Sequence, residues 1–113
     1  MKTVLCELEN KCDFIILLVH GELGRTRKLI RKLSAVNLVV NGHSQQLLSE
    51  PICVGRTYLL QTDGDAYRLG KVVLHFNGKE LILLSNEMIL PDDRVPNHSK
   101  LLELIKEKPL KKC

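Results

Sequence analysis

Five basic side chains fall within eight consecutive positions of the stretch GELGRTRKLIRKL, residues 21–33: Arg25, Arg27, Lys28, Arg31 and Lys32, with no acid among them. The chemistry open to such a set is the binding of anions. Gly21 and Gly24 allow a backbone to approach a phosphate closely, and a helix that begins there adds bare N–H groups and the positive end of its dipole. These seven residues are the candidate phosphate-binding set.

Other chemistry is poorly represented. The chain has no G-x-S-x-G, H-E-x-x-H, Walker-type or G-x-G-x-x-G motif. Asp63 with Asp65, and Asp92 with Asp93, fall in turn-rich stretches where aspartate bonds its own backbone. His20, His43, His75 and His98 are far apart in sequence, and no pair has the spacing of metal ligands. Cys6, Cys12, Cys53 and Cys113 follow neither a disulfide framework nor a C-x-x-C pair. A reduced, metal-free protein without catalytic residues or cofactor is expected, with the first three cysteines as small core residues.

The elements that would position the basic set can be read from periodicity. At 100° per residue, Leu23, Thr26, Leu29, Ile30 and Leu33 share about 120° of arc, and the five cations take the opposite side, so residues 22–33 are expected to be helical. TVLCELE, residues 3–9, alternates roughly like a strand, while FIILLV, residues 14–19, suits either a buried strand or a buried helix. Beyond Val36 three turn signals, Asn41-Gly42, Asp63-Gly64 and Asn77-Gly78, separate apolar runs and predict hairpins. Residues 99–108, SKLLELIKEK, form an amphipathic helix capped by Ser99 or Asn97 and stopped by Pro109. The expected fold is α+β: a small curled antiparallel sheet or barrel over about residues 36–90, the basic helix 22–33, and the C-terminal helix 99–108.

The chain of 113 residues is 44% hydrophobic and 27% charged, with net charge +4. One globular domain is expected. The longest apolar run is too short to span a bilayer, and the N-terminal MKTVLCELENK lacks the pattern of a signal peptide, so a cytoplasmic location without membrane partners is expected. With only Phe14, Phe76, Tyr58 and Tyr67 as aromatics, and both phenylalanines assigned to the core, base stacking is disfavoured against contact with phosphates.

Short stretches resemble known small domains. HGELGRTRKLIRKLSAVNLVV resembles the Gly-x-x-Gly loop, helix and strand of KH RNA-binding domains. RKLIR…VNLVVNG resembles the R-x-x-x-R arm (Arg27, Arg31) and first strand of PilZ cyclic-di-GMP receptors, although the second PilZ motif is absent. VGRTYLLQTDGDAYRLGKVVLHF resembles a PRC-barrel segment, and RLGKVVLHFNGKELILLS the second half of an Sm-like barrel. The last three likenesses imply a small barrel without agreeing on a ligand. The leading expectation is a non-enzymatic, regulatory binding module that contacts a polyanion, nucleic acid first, through the basic face of helix 22–33. The alternatives are a protein–protein adaptor or homo-oligomer, and a PilZ-like cyclic-dinucleotide receptor.

Overall fold

The computed structural model describes residues 2–65, 67–78, 80–92 and 94–107. In chain order they form α1 (Lys2–Glu9), β1 (Ile16–Gly21), α2 (Leu23–Ile30), β2 (Leu38–His43), β3 (Ile52–Val54), β4 (Thr57–Leu60), β5 (Leu69–Phe76), β6 (Leu81–Ile89) and α3 (Ser99–Glu107). The fold is α+β, as expected, but its sheets are not one antiparallel meander. A four-stranded mixed sheet has the order β1-β2-β4-β3, and β5 pairs separately with β6. Neither sheet closes into a barrel.

The main departure lies at β2. Asn41 and Gly42 do not turn the chain; they run on inside the strand, where β1 and β2 are parallel, with Ile16 opposite Leu38 and His20 opposite Gly42. Parallel neighbours need a crossover, and α2 supplies it, making β1-α2-β2 the organising unit. β4 continues the parallel set beside β2, with Leu38 opposite Tyr58. The hairpin in this sheet lies elsewhere: β3 and β4 are antiparallel, with Val54 opposite Thr57 across Gly55-Arg56. Gly55 has φ +63°, which suits a two-residue turn with glycine first.

The first segment is also different from its expected strand. Residues 2–9 are helical because Leu5 and Leu8, one turn apart, face the core, Leu5 fully and Leu8 in part. The core joins Leu5, Ile15, Ile30, Leu33, Val36, Val39 and Leu59, so it lies between the two helices and one face of the sheet. On α2, Thr26 and Ile30 are buried as the wheel requires. The regular helix ends at Ile30, and i→i+3 bonds from Lys32 N–H to the Leu29 carbonyl and Leu33 N–H to the Ile30 carbonyl carry the same stripe to Leu33.

The other face of the sheet is incompletely covered. Along β1 and β2, Ile16, Leu18 and Val40 are 46%, 76% and 39% exposed. The β5–β6 hairpin touches the body through the Phe14–Phe76 ring pair, with centroids 5.8 Å apart. The Asn86 amide also donates to the Ser49 carbonyl at 3.2 Å. Phe14 is exposed rather than a core residue, and so are Cys6, Cys12 and Cys53, all free thiols. Cys113 lies outside the described residues. Leu101, Leu102, Leu104 and Ile105 of α3 are exposed as well.

Candidate functional site

Parallel α/β sheets gather ligands outside the carboxyl ends of their strands. Here the ends of β1 and β2 carry His20 and His43. The two residues are 23 apart in sequence, yet His43 Nδ1 stands 3.1 Å from His20 Nε2, with the ring centroids 4.8 Å apart. The sequence gives no sign of this pair, because it needs both the parallel register, Gly21 opposite His43, and a departure of the His43 backbone from regular strand geometry. In the sequence the four histidines are unrelated; the fold joins two of them.

His43 reaches its position by an unusual backbone. Its φ is +92°, and Gln45 two residues later has φ +51°. A non-glycine residue held in such a region costs about 1–3 kcal/mol and is found where surrounding structure enforces it, often at functional sites. The other nitrogen of the same ring, Nε2, lies 3.4 Å from Glu22 Oε1. Glu22 occupies the N-cap position of α2 but makes no capping bond with its side chain. Its carboxylate is directed at His43 instead.

Around the pair opens a cleft of about 420 Å³, lined by Val19, His20, Gly21 and Glu22 at the end of β1, by Arg25, Thr26 and Leu29 of α2, and by His43. Of the expected phosphate set, Gly21 and Arg25 belong to this cleft. Gly24 is exposed with open space around it. Arg27 and Lys28 lie on the exposed side of α2, while Arg31 and Lys32 follow in its C-cap and the turn beyond. All five cations are exposed, and none has a salt bridge among the described residues.

The acidic pairs do not assemble into sites. Asp63 is ion-paired with Arg68. Asp65 is an exposed turn residue with φ +61°. Asp92 is held by Arg94, whose guanidinium nitrogens donate to both carboxylate oxygens at 2.6–3.1 Å. Those side-chain bonds, then the Arg94 backbone N–H, hold the Asp92 carboxyl below the ordinary carboxylate value. Asp93 lies outside the described residues. His75 is an exposed strand residue, and the His98 carbonyl accepts the first N–H bonds of α3. Among the described residues no group of three or more His, Cys, Asp or Glu side chains is placed to hold a metal ion.

The separation of the two ring nitrogens is that of a hydrogen bond and also matches the spacing of two ligands on one ion. Two imidazole nitrogens about 2.0–2.1 Å from one ion, at tetrahedral or octahedral angles, stand about 2.9–3.4 Å apart. The observed 3.1 Å falls inside that interval. A ligating histidine also commonly donates its second N–H to a carboxylate, the role open to Glu22. His20 and His43 thus bring two imidazole nitrogens together at the rim of the cleft.

The described residues form an α+β fold organised on a parallel βαβ unit, with a histidine pair at its carboxyl edge. No protein-family model matches the sequence, and no curated protein matches it. Its structure is similar to that of the sulfate thiohydrolase SoxB of Thermus thermophilus, solved in complex with glycerol: TM-score 0.76 at 16% identity, covering 94% of this chain and 20% of that one. At that identity the likeness establishes the fold. The chain spans about a fifth of the length of SoxB. No helix among the described residues is long and apolar enough to cross a membrane.

Proposed function

We propose that this chain is a binding module whose cleft takes a divalent transition-metal ion on His20 and His43 and seats an anionic oxygen ligand beside it. The observation that carries the reading is the 3.1 Å separation of the two ring nitrogens, held by a strained His43 backbone. The imidazole pair suits zinc, cobalt, nickel or copper better than calcium or magnesium. Arg25 and the N-terminal turn of α2 add positive potential for the anion. The role is one of binding, and no residue of the cleft is assigned as nucleophile or proton donor.

Titration with Co²⁺, followed by its visible absorption, tests this directly. Binding that is lost in both His20→Ala and His43→Ala, and weakened in Glu22→Gln, supports the reading. Wild type that leaves the Co²⁺ spectrum unchanged overturns it.

A second reading is favoured by the five exposed cations, which have no salt bridge among the described residues. The flank Arg27, Lys28, Arg31 and Lys32 extends the cleft into a surface for a polyanion, nucleic acid first. Contacts of that kind go to phosphates and carry little sequence information. Reversal of all four charges to Glu is expected to abolish nucleic-acid binding while the fold survives. Single reversals should each reduce the salt slope by about one unit. Wild type that binds neither RNA nor DNA at low salt would leave the flank a solvated helix face. A protein partner or a second copy, seated on the exposed apolar side chains of α3, would then be the next reading.

A further inference from the structure

Buried polar side chains in the described residues are four, Thr26, Asn41, Thr57 and Gln61, and three of them form one connected chain behind the cleft. The Thr26 hydroxyl donates to Asn41 Oδ1 at 2.7 Å. Asn41 Nδ2 donates to the Gly21 carbonyl at 3.0 Å and also to Gln61 Oε1. The Ser44 hydroxyl donates to that same Gln61 oxygen at 3.0 Å, and Gln61 Nε2 donates to the Gln46 carbonyl at 2.6 Å.

The ends of this chain are specific. Gly21 follows His20, Ser44 follows His43, Gln46 lies three residues beyond His43, and Thr26 is in the wall of the cleft. The network therefore grips the backbone beside both imidazoles, across the segment that contains both strained residues, His43 and Gln45. Apolar side chains would fill the same interior without needing partners, whereas a fully bonded polar cluster fixes one arrangement of the segments it joins.

We propose that Gln61, acting through Asn41 and Ser44, is the positioning residue that holds the His43 ring against His20. What the pair binds rests on the metal reading above; the placement of the rings does not. Two measurements separate these: ¹⁵N NMR of the imidazole tautomers in the full chain, and Co²⁺ titration. In wild type the contact between His43 Nδ1 and His20 Nε2 requires one nitrogen to carry the proton and the other to accept it.

Gln61→Met keeps the shape and removes the bonds. It is expected to release both rings to mixed tautomers and to weaken Co²⁺ binding by about 10–100-fold, the range for lost outer-shell partners. Thr57→Val is the control, since the Thr57 hydroxyl, equally buried at the other end of β4, donates to the Val36 carbonyl at 2.6 Å. It should leave tautomers and affinity unchanged whatever it does to stability.

A folded Gln61→Met protein with wild-type tautomers overturns the proposal, and so does equal loss in Thr57→Val. Loss of the tautomer lock in Gln61→Met, together with wild type that binds no Co²⁺, keeps the positioning role and removes the metal. If Gln61→Met does not fold, the half-buried Ser44→Ala carries the test. It should shift the His43 ring signals, and an unchanged ring spectrum overturns the proposal.

Discussion

Gly64 lies so close to Gln45 that a Cβ built on it would stand 2.8 Å from the Gln45 Cγ, Cδ and Nε2 atoms. The loops after β4 and β2 meet here without room for a methyl group. Gly64→Ala should force the exposed Gln45 side chain off its rotamer at a cost of about 0.5–1.5 kcal/mol. Adding Gln45→Ala should restore stability. A urea double-mutant cycle checks this, and a cost that persists in the double variant would place the strain in the backbone instead.

The three glycines that follow Asn or Asp should respond differently. Gly78, in the β5–β6 turn, has φ +87°, so Gly78→Val should destabilise the hairpin by more than the ~1–2 kcal/mol typical of a left-handed L-residue. Gly42 sits inside β2, and its nearest neighbour to an added Cβ is the Val19 carbonyl at 3.9 Å. Gly42→Ala should therefore change stability by less than about 0.5 kcal/mol. Hydrogen exchange in β5 and β6 reads the first, and a urea midpoint the second.

That contrast shows what was legible in the sequence. The wheel of residues 22–33 placed α2 and its exposed cations, because helix periodicity is local. Asn77-Gly78 gave a hairpin for the same reason. Asn41-Gly42 carries the same turn signal but sits in a parallel strand, where its partners come from β1 and β4 and no local rule applies. Gly55, the turn residue of β3–β4, lacks a preceding Asn or Asp and so carries no local turn signal. The histidine pair was invisible because it depends on register between segments 23 residues apart and on the positive φ of His43.

Burial separates two leucines that sequence treats alike. Leu59 is fully buried in β4, and Leu59→Ala should cost about 2–5 kcal/mol. Leu104 on α3 is 55% exposed, so Leu104→Ala should stay within about 0.5 kcal/mol in the isolated chain. Parallel urea curves on the two variants decide it. A large loss at Leu104 would mean that a second chain covers α3.

The Asp92–Arg94 turn has a pH dependence with a definite sign. Arg94 side-chain bonds depress the folded-state carboxyl below 3.8. Its contribution is therefore complete above the unfolded value and is lost as pH falls through the depressed one. An NMR titration should find Asp92 below the ordinary carboxylate value, and Arg94→Ala should return it there. An Asp92 value unchanged by that substitution would contradict the pairing.

The edge of β1 has a consequence in the test tube. Among the described residues β1 pairs on one side only, and its outer side offers unpaired backbone from Ile16 to Gly21 with no proline and no Lys or Arg. Such an edge is a template for the strand of another molecule, and the exposed Leu18 makes adhesion there favourable. Crowded preparations should grow by strand addition along β1 despite the net charge of +4. Leu18→Lys should raise the concentration at which light scattering first appears, leaving the far-ultraviolet circular dichroism unchanged, because that side chain is already 76% in water. Colloidal behaviour would then be governed by one strand of six residues rather than by the surface as a whole.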